Sequence, residues 1–191
     1  MSVSELQALQ KETITEQDRV ELLDYCMSHY GSDVKRIVYS YVQNEVDAED
    51  VTQEVFITVY QKIDQFNQDS QLKSWLIRIA INKSKDHLRS FKHRQQRLKD
   101  KLLQSFNKES AETTTPEDLS IQTDENKQLI QQIYQLPTKY KEVIILYYFE
   151  QLTVKEMADI LNTNENTMKA RLKRGRDRLK TIIESGGGDH G

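Results

Sequence analysis

Basic and amide side chains are concentrated near the carboxy terminus, in the sequence MKARLKRGRDRLK at residues 168–180. Residues 169–180 carry seven Lys or Arg side chains and one Asp. Lysine and arginine bind the phosphates of nucleic acids, and arginine and asparagine also pair with base edges in the major groove of DNA. The pattern therefore predicts a nucleic-acid contact, with a solvated charged helix face as the alternative.

The residues before this run have the signals of a helix-turn-helix. Thr153 and Glu156 have the spacing of a capping box, which predicts a helix over 153–161, and Asn164 can cap the helix that follows. On a helical wheel the predicted buried face of that helix consists of Met168, Leu172, Gly175 and Leu179. The opposite face and its flanks carry the candidate DNA contacts, which are Asn166, Thr167, Lys169, Arg171, Lys173, Arg174, Arg176 and Arg178. Of these, Arg171, Arg176 and Arg178 lie at the flanks and suit phosphate contacts.

A second polar surface is predicted within residues 47–64, and it is acidic. On the wheel one arc is apolar and consists of Ala48, Val51, Val55, Phe56, Val59 and Ile63. The other arc consists of Asp47, Asp50, Gln53, Glu54, Gln61 and Asp64, with Ile57 in its middle. An apolar side chain among carboxylates and amides is typical of a protein interface. A solvated face is one alternative; a divalent-metal site from Asp47, Asp50 and Glu54 is disfavoured, because no second element supplies ligands.

The net charge of −3 conceals four blocks of alternating sign. Residues 1–61 carry a net charge of −8, residues 62–101 carry +7, residues 102–136 carry −4 and residues 137–191 carry +2. Acidic and basic blocks in separate places indicate separate partners, one of them basic and the other a polyanion.

The elements that must position these surfaces are predicted to be helices. Only six glycines and two prolines interrupt 191 residues, and apolar residues recur at helical spacing. We predict an all-α fold with two small helical domains, at 16–94 and 126–184, the second containing the helix-turn-helix. The polar, acidic segment 95–125 is predicted to be a flexible linker and 185–191 a flexible tail. The single cysteine, Cys26, is expected to be a small buried hydrophobe.

No segment has the apolar length of a membrane span or the pattern of a signal peptide, so we expect a cytoplasmic protein without membrane insertion. No cofactor or metal is predicted. The four histidines, which are His29, His87, His93 and His190, are dispersed without the spacing of metal ligands, and no phosphate-binding glycine loop or nucleophile motif occurs. A metal-dependent nuclease and a stand-alone helix-turn-helix regulator are the rival hypotheses, but the regulator leaves the acidic helix without a role.

Three motifs in this order resemble an extracytoplasmic-function (ECF) sigma factor of bacterial RNA polymerase. They are DAEDVTQEVF at 47–56, LKSWLIRIAINKSKDHLRS at 72–90 and the run from LPTKYKEVII to RGRDRL at 136–179. The resemblance covers about residues 20–183 and implies an alternative sigma factor that binds core RNA polymerase and directs it to promoters. It implies that 16–94 is sigma domain 2 and 126–184 sigma domain 4. It also implies that the protein is not an enzyme and has a sequestering anti-sigma partner.

The resemblance further assigns roles to particular residues. The implied polymerase-docking positions are Asp50, Gln53, Glu54, Ile57 and Tyr60. The loop FNQDSQL at 66–72 matches the segment that captures a base of the melted non-template strand at the downstream (−10) element, while the helix-turn-helix reads the upstream (−35) element as duplex. The candidate contacts to the downstream element are Phe66, Asn67, Gln68, Asp69, Ser70, Lys73, Trp75, Arg78 and Lys83. Trp75 is either a core residue or an aid to strand opening, for which primary sigma factors carry two adjacent tryptophans.

Overall fold

The structure is a computed structural model, which describes the backbone of residues 15–66, 71–102 and 124–186 and the side chains of 15–66, 71–93 and 128–185. The chain divides into two compact units, one within residues 1–114 and the other within 115–191. Every regular element in the described ranges is helical, which confirms the predicted all-α class. Most of the predicted linker, residues 103–123, lies outside the described residues.

The first unit contains three α-helices: α1 at Glu16–Val42, α2 at Glu45–Lys62 and α3 at Leu72–Leu102, with a 3₁₀ turn at Ile63–Gln65 after α2. Thr15 and Asp18 form a capping box at the start of α1. The Asn44 side chain caps α2 by accepting from the Asp47 amide at 2.9 Å. All three helices pack against one another.

Aliphatic side chains from all three helices form the core of the first unit. The most deeply buried, each no more than 1% exposed, include Leu22, Val38, Val51, Val55, Val59, Leu76 and Ile77. Cys26 is fully buried among them, as expected of a small hydrophobe. Helix α3 continues to Leu102, beyond residue 94, the predicted end of the first domain. The reason is local, because no glycine or proline interrupts residues 72–102 and the end of this segment is rich in good helix formers.

The second unit contains four α-helices: α4 at Asp124–Tyr134, α5 at Thr138–Tyr148, α6 at Val154–Ile160 and α7 at Glu165–Gly186. Helix α7 packs on α4, α5 and α6. At Gly175 it lies close to α5, where an added Cβ would be 3.2 Å from Ile144 Cγ1. The centre of the core is formed by Val143, Ile144, Leu146, Met157 and Met168.

Helices α6 and α7 form the predicted helix-turn-helix. Thr153 and Glu156 make the capping box at the start of α6. The turn contains Asn162 in the left-handed region, with φ of 50°. Asn164 Oδ1 then accepts from the Thr167 amide at 2.8 Å and caps α7. Both capping predictions are confirmed. Within the described residues, no helix combines the length and the apolar character needed to cross a bilayer.

Candidate functional site

Helix α7 has one buried face and one basic exposed face, as the wheel predicted. Met168, Leu172 and Gly175 are buried, and Leu179 is half-buried. Among the candidate DNA contacts, the exposed residues are Asn166, Lys169, Lys173, Arg174, Arg176 and Arg178. Thr167 and Arg171 are half-buried. The exposed candidates lie together on one continuous surface of a single rigid helix, which is the arrangement a recognition helix requires.

The positive charge of this surface is only partly neutralised within the protein. Lys169 lies 3.7 Å from Glu165 along the helix. Within the described part of the chain, Lys173, Arg174 and Arg176 make no ion pair with a carboxylate. The outer face of α7 therefore presents a local positive potential that suits a polyanion.

Arg171 differs from the other basic residues of α7, because it is bound inside the second unit. Its guanidinium lies 3.2 Å from Glu142 on α5, and Glu142 is only 7% exposed. A charge-assisted bond of this kind fixes the orientation of α7 on α5. Arg171 stays a predicted phosphate contact, but its geometry also gives it a positioning role. The sequence carries no signal for this pair, since its members are 29 residues apart.

Helix α2 has the two faces that the sequence predicted. Its apolar arc is buried, with exposed fractions of at most 7% for Ala48, Val51, Val55, Phe56, Val59 and Ile63. On the other face Asp50, Gln53 and Glu54 are exposed, and Ile57 is 56% exposed. An isoleucine that is so exposed to solvent, in the middle of an acidic face, is the strongest sign of an interface in the first unit.

Tyr60 lies at the far end of the same face and is tied to α1. Its hydroxyl donates to the Glu16 carboxylate, and this hydrogen bond raises the pKa of Tyr60. Arg19 donates to the Tyr60 carbonyl oxygen at 3.4 Å and forms an ion pair with Asp64. These bonds hold one half-buried aromatic ring in a fixed place beside the exposed acidic residues.

Val46, which was not among the predicted docking residues, belongs to the same face. It is 67% exposed and lies four residues before Asp50, seven before Gln53 and eleven before Ile57. These intervals place all four side chains on one side of the helix. The signal was present in the sequence, but the helical wheel began at Asp47 and left out the first turn of α2.

The predicted single-strand contacts are only partly described. Asn67, Gln68, Asp69 and Ser70 lie outside the described residues. Phe66 and Trp75, on either side of them, are half-buried, and their ring centroids are 5.4 Å apart at an angle of 56°. Trp75 is therefore neither a fully buried core residue nor a free one: it packs against Phe66 beside the loop while part of its ring remains exposed.

Two of the predicted downstream-element contacts on α3 are paired with acids. Lys73 lies 3.2 Å from Asp33 on α1. Lys83 lies 3.8 Å from Glu54 on α2, so it joins a predicted DNA contact to a predicted docking residue. Arg78 is exposed.

A groove of about 480 Å³ lies between α2 and α3 and is mainly basic. Its charged lining consists of Lys62, Lys83, Lys85, Asp86 and Arg89. Among the residues that the structure describes, no three His, Cys, Asp or Glu side chains are grouped as metal ligands would be.

Comparison with known proteins agrees with these features. Residues 26–94 match the Sigma-70 region 2 family, and residues 126–179 match the Sigma-70 region 4 family. The chain is 33% identical to the ECF RNA polymerase sigma factor SigW of Bacillus subtilis (strain 168) over 156 residues, which cover 79% of this chain and 83% of SigW. It is 29% identical to the ECF RNA polymerase sigma-E factor of Escherichia coli (strain K12), over 81% of this chain and 83% of that protein.

Two solved structures have a similar fold. One is the sigma factor RpoE of Bartonella quintana in complex with the anti-sigma factor NepR, with a TM-score of 0.65 and 21% identity over 84% of this chain and 96% of that chain. The other is CnrH in complex with the cytosolic domain of CnrY, with a TM-score of 0.60 and 20% identity over 95% of each chain.

The helix-turn-helix with its basic outer face places the molecule in the class of all-α DNA-binding proteins. The family matches and the relatives are more specific. The chain belongs to the ECF sigma factors of RNA polymerase. It is an alternative sigma factor, a transcription initiation factor that directs RNA polymerase to promoters. A stand-alone helix-turn-helix regulator is disfavoured, because the region 2 match occupies the first unit.

Proposed function

We propose that the two units divide the work of promoter recognition between them. The exposed face of α2 docks on a basic surface of core RNA polymerase, and the outer face of α7 reads the upstream promoter element as duplex. The observation that carries the docking proposal is Ile57, an isoleucine 56% exposed within the acidic face of a helix that matches Sigma-70 region 2.

The chemistry of the α2 face defines what it can bind. Burying an isoleucine side chain at an interface contributes about 1.5–3 kcal/mol, which makes Ile57 the anchor. Asp50 and Glu54 are exposed around it, so the partner must be basic where it meets them. Val46 extends the apolar part of the contact at one end, and the fixed ring of Tyr60 extends it at the other.

The outer face of α7 supports both base reading and phosphate binding. Asn166, Lys169 and Lys173 are exposed near its amino-terminal end, which is the part of a recognition helix that contacts base edges. Arg174 can pair with a guanine through two hydrogen bonds, because guanidinium geometry matches the acceptors of that base. Arg176 and Arg178 serve the backbone phosphates.

For the downstream element we propose single-strand recognition beside Phe66 and Trp75. The partly exposed rings can stack with bases that leave the duplex. Lys73 and Lys83 then exchange Asp33 and Glu54 for phosphates. When a phosphate replaces Glu54 as the partner of Lys83, the Glu54 carboxylate becomes free to contact the polymerase. Lys83 then serves DNA and Glu54 serves polymerase, so the two partners do not compete for either residue.

We also propose three broader properties. The solved RpoE and CnrH structures contain NepR and the cytosolic domain of CnrY, and we infer that a sequestering anti-sigma partner binds this chain as well. The protein acts in the cytoplasm, where polymerase and promoters are found. It has no catalytic activity of its own, and the chemistry of transcription belongs to the polymerase.

The docking proposal is tested by Ile57→Glu and Asp50→Arg in the full chain. Both side chains are exposed, so the fold should survive, and we expect each variant to lose binding to core polymerase. Val20→Glu is the matched control, since Val20 is 53% exposed on α1, and it should bind as the unchanged chain does. The measurement is affinity for core polymerase, with circular dichroism as the check on folding. Retention of binding within a factor of two by both variants would remove the docking assignment.

A further inference from the structure

Two cations of the second unit lie against the same aromatic ring. Lys139 Nζ, at the start of α5, is 5.0 Å from the centroid of the Tyr140 ring, and Arg178 Cζ, on α7, is 5.1 Å from it. The two charges therefore lie within about 10 Å of each other, although their residues come from different helices. Tyr140 itself is 6% exposed, whereas Lys139 and Arg178 are exposed.

These cations are not neutralised within the described part of the chain, where neither Lys139 nor Arg178 makes an ion pair with a carboxylate. Arg174 adds a third positive charge nearby, because it acts on the same phenol. Burial alone would raise the pKa of Tyr140, but Lys139, Arg178 and Arg174 together lower it below its ordinary value. The lowered pKa of Tyr140 thus indicates a concentrated positive potential where α5 and α7 meet.

Like charges repel, so cations this close together need a favourable interaction that offsets their repulsion. The face of an aromatic ring attracts a cation by about 0.5–1 kcal/mol at an exposed site, which offsets part of the repulsion. The ring does not neutralise the charge, and an anion that reaches both cations would do so. The position is next to Arg174, at the edge of the surface assigned to DNA.

We propose that Lys139 of α5 and Arg178 of α7, which both lie against the Tyr140 ring, form a binding site for one phosphate of the DNA backbone. This phosphate lies beside the groove that α7 enters. The site rests on the proposed placement of α7 in the major groove. It adds Lys139, a residue outside the helix-turn-helix, to the DNA contacts. Tyr140 is a positioning residue here, because it contacts the cations rather than the phosphate.

The site is tested with the full chain assembled with core polymerase and bound to a duplex that contains its upstream element. A series of duplexes carries a single uncharged methylphosphonate linkage at each backbone position in turn. For the unchanged protein, one linkage at the edge of the element should weaken binding about tenfold. For Lys139→Gln or Arg178→Gln, the same linkage should have a smaller effect, because only one cation still meets the phosphate, and for the double variant it should have no further effect.

Two more variants separate this role from a structural one. Tyr140→Phe keeps the aromatic face and should respond to the linkage as the unchanged protein does, whereas Tyr140→Leu should lose the response while circular dichroism shows the same helix content. Lys180→Gln is the matched control for charge. Lys180 lies on α7 but is 3.7 Å from Glu184, and it is about 200° around the helix from Arg178.

If the Lys139 and Arg178 variants respond to every linkage as the unchanged protein does, the phosphate site is wrong and the ring only joins α5 to α7. Arg174→Ala, measured in the same assay, shows whether the phosphate site alone is wrong or the placement of α7 in the major groove is wrong as well. Loss of upstream preference in Arg174→Ala, without any linkage coupled to Lys139 or Arg178, overturns this inference alone. No loss in any of these variants overturns the placement of α7 as well.

Discussion

Three basic residues of the second unit, Lys141, Arg171 and Arg174, have the same charge but very different surroundings. Arg174 is exposed on α7, Arg171 is bound to Glu142, and Lys141 is 2% exposed. The Lys141 ammonium donates to the Tyr134 carbonyl oxygen at 3.3 Å, at the end of α4. The wheel predicted which face of α7 each arginine occupies. It could not predict the partners, because Glu142 and Tyr134 come from other helices and pair through tertiary packing.

The buried Lys141 makes the stability of the second unit dependent on pH. Burial lowers the pKa of Lys141 from 10.5 to about 8. Between these values the unfolded chain binds more protons than the folded one, so the free energy of unfolding should rise as pH increases from about 8 to 10.5. Lys141→Met should lack this rise, which is on the order of 1–3 kcal/mol relative to the unchanged chain.

The measurement is urea unfolding across that pH range, followed by circular dichroism. Trp75 is the single tryptophan and lies in the first unit, so its fluorescence reports the other unit separately. Lys155→Met, at an exposed position on α6, is the control and should keep the rise. Parallel pH profiles for Lys141→Met and the unchanged chain would show that Lys141 is not the group responsible.

On α7 base reading and phosphate binding are expected to depend on different arginines. Arg174→Ala should weaken binding to the preferred upstream element by about 1–3 kcal/mol and to scrambled duplex much less, if Arg174 pairs with a base. Arg178→Ala should weaken binding to both duplexes alike and make the salt dependence shallower by about one unit. Affinities of the full chain with core polymerase across a salt series provide the comparison. Equal losses on both duplexes for both variants would reduce the face to an electrostatic surface.

At the scale of elements, the helices and their faces were largely predictable because their signals are local. The capping box at Thr153, the cap at Asn164 and the apolar arc of α2 depend on residues within one or two turns. The end of α3 at Leu102 was not predicted, because the apolar repeat that defined the first domain ends near residue 94, whereas nothing in the polar residues that follow ends a helix. Gly175 was expected on the buried face, but the closeness of α5 to it depends on how two helices cross.

Two glycines in helices should respond differently to alanine. Gly31 lies within α1 with no atom within 4 Å of an added Cβ, so Gly31→Ala should stabilise the first unit by about 0.5–1 kcal/mol. At Gly175 the added Cβ would meet Ile144 Cγ1 at 3.2 Å and the Tyr140 carbonyl oxygen at 3.5 Å. Crowding there should cancel the helix-propensity gain, and Gly175→Val should destabilise the second unit.

The measurement is the unfolding of Gly31→Ala and Gly175→Ala. Trp75 fluorescence follows the first unit, and circular dichroism follows the second. An equal gain at both positions would mean that α5 and α7 separate easily and that Gly175 is not a packing requirement. Because α7 carries the proposed DNA contacts, Gly175→Val should also weaken binding to the upstream element.

At the scale of the whole molecule, the charge blocks of the sequence correspond to the two surfaces for which different partners are proposed. The acidic block contains the exposed face of α2, and the basic run after residue 168 is the outer face of α7. Composition could predict two partners of opposite charge, but not which polymer each was. The order of the motifs supplied the family, and the matches to Sigma-70 regions 2 and 4 establish it.

The central claim is that this chain brings core RNA polymerase to a defined set of promoters through both surfaces. It is tested most directly by transcription in vitro with core polymerase on fragmented genomic DNA of the source bacterium, with sequencing of the RNA 5′ ends. The unchanged chain should produce new starts that share one upstream and one downstream element, and Ile57→Glu should produce none. New starts that persist with Ile57→Glu, or no new starts with the unchanged chain, would contradict the account.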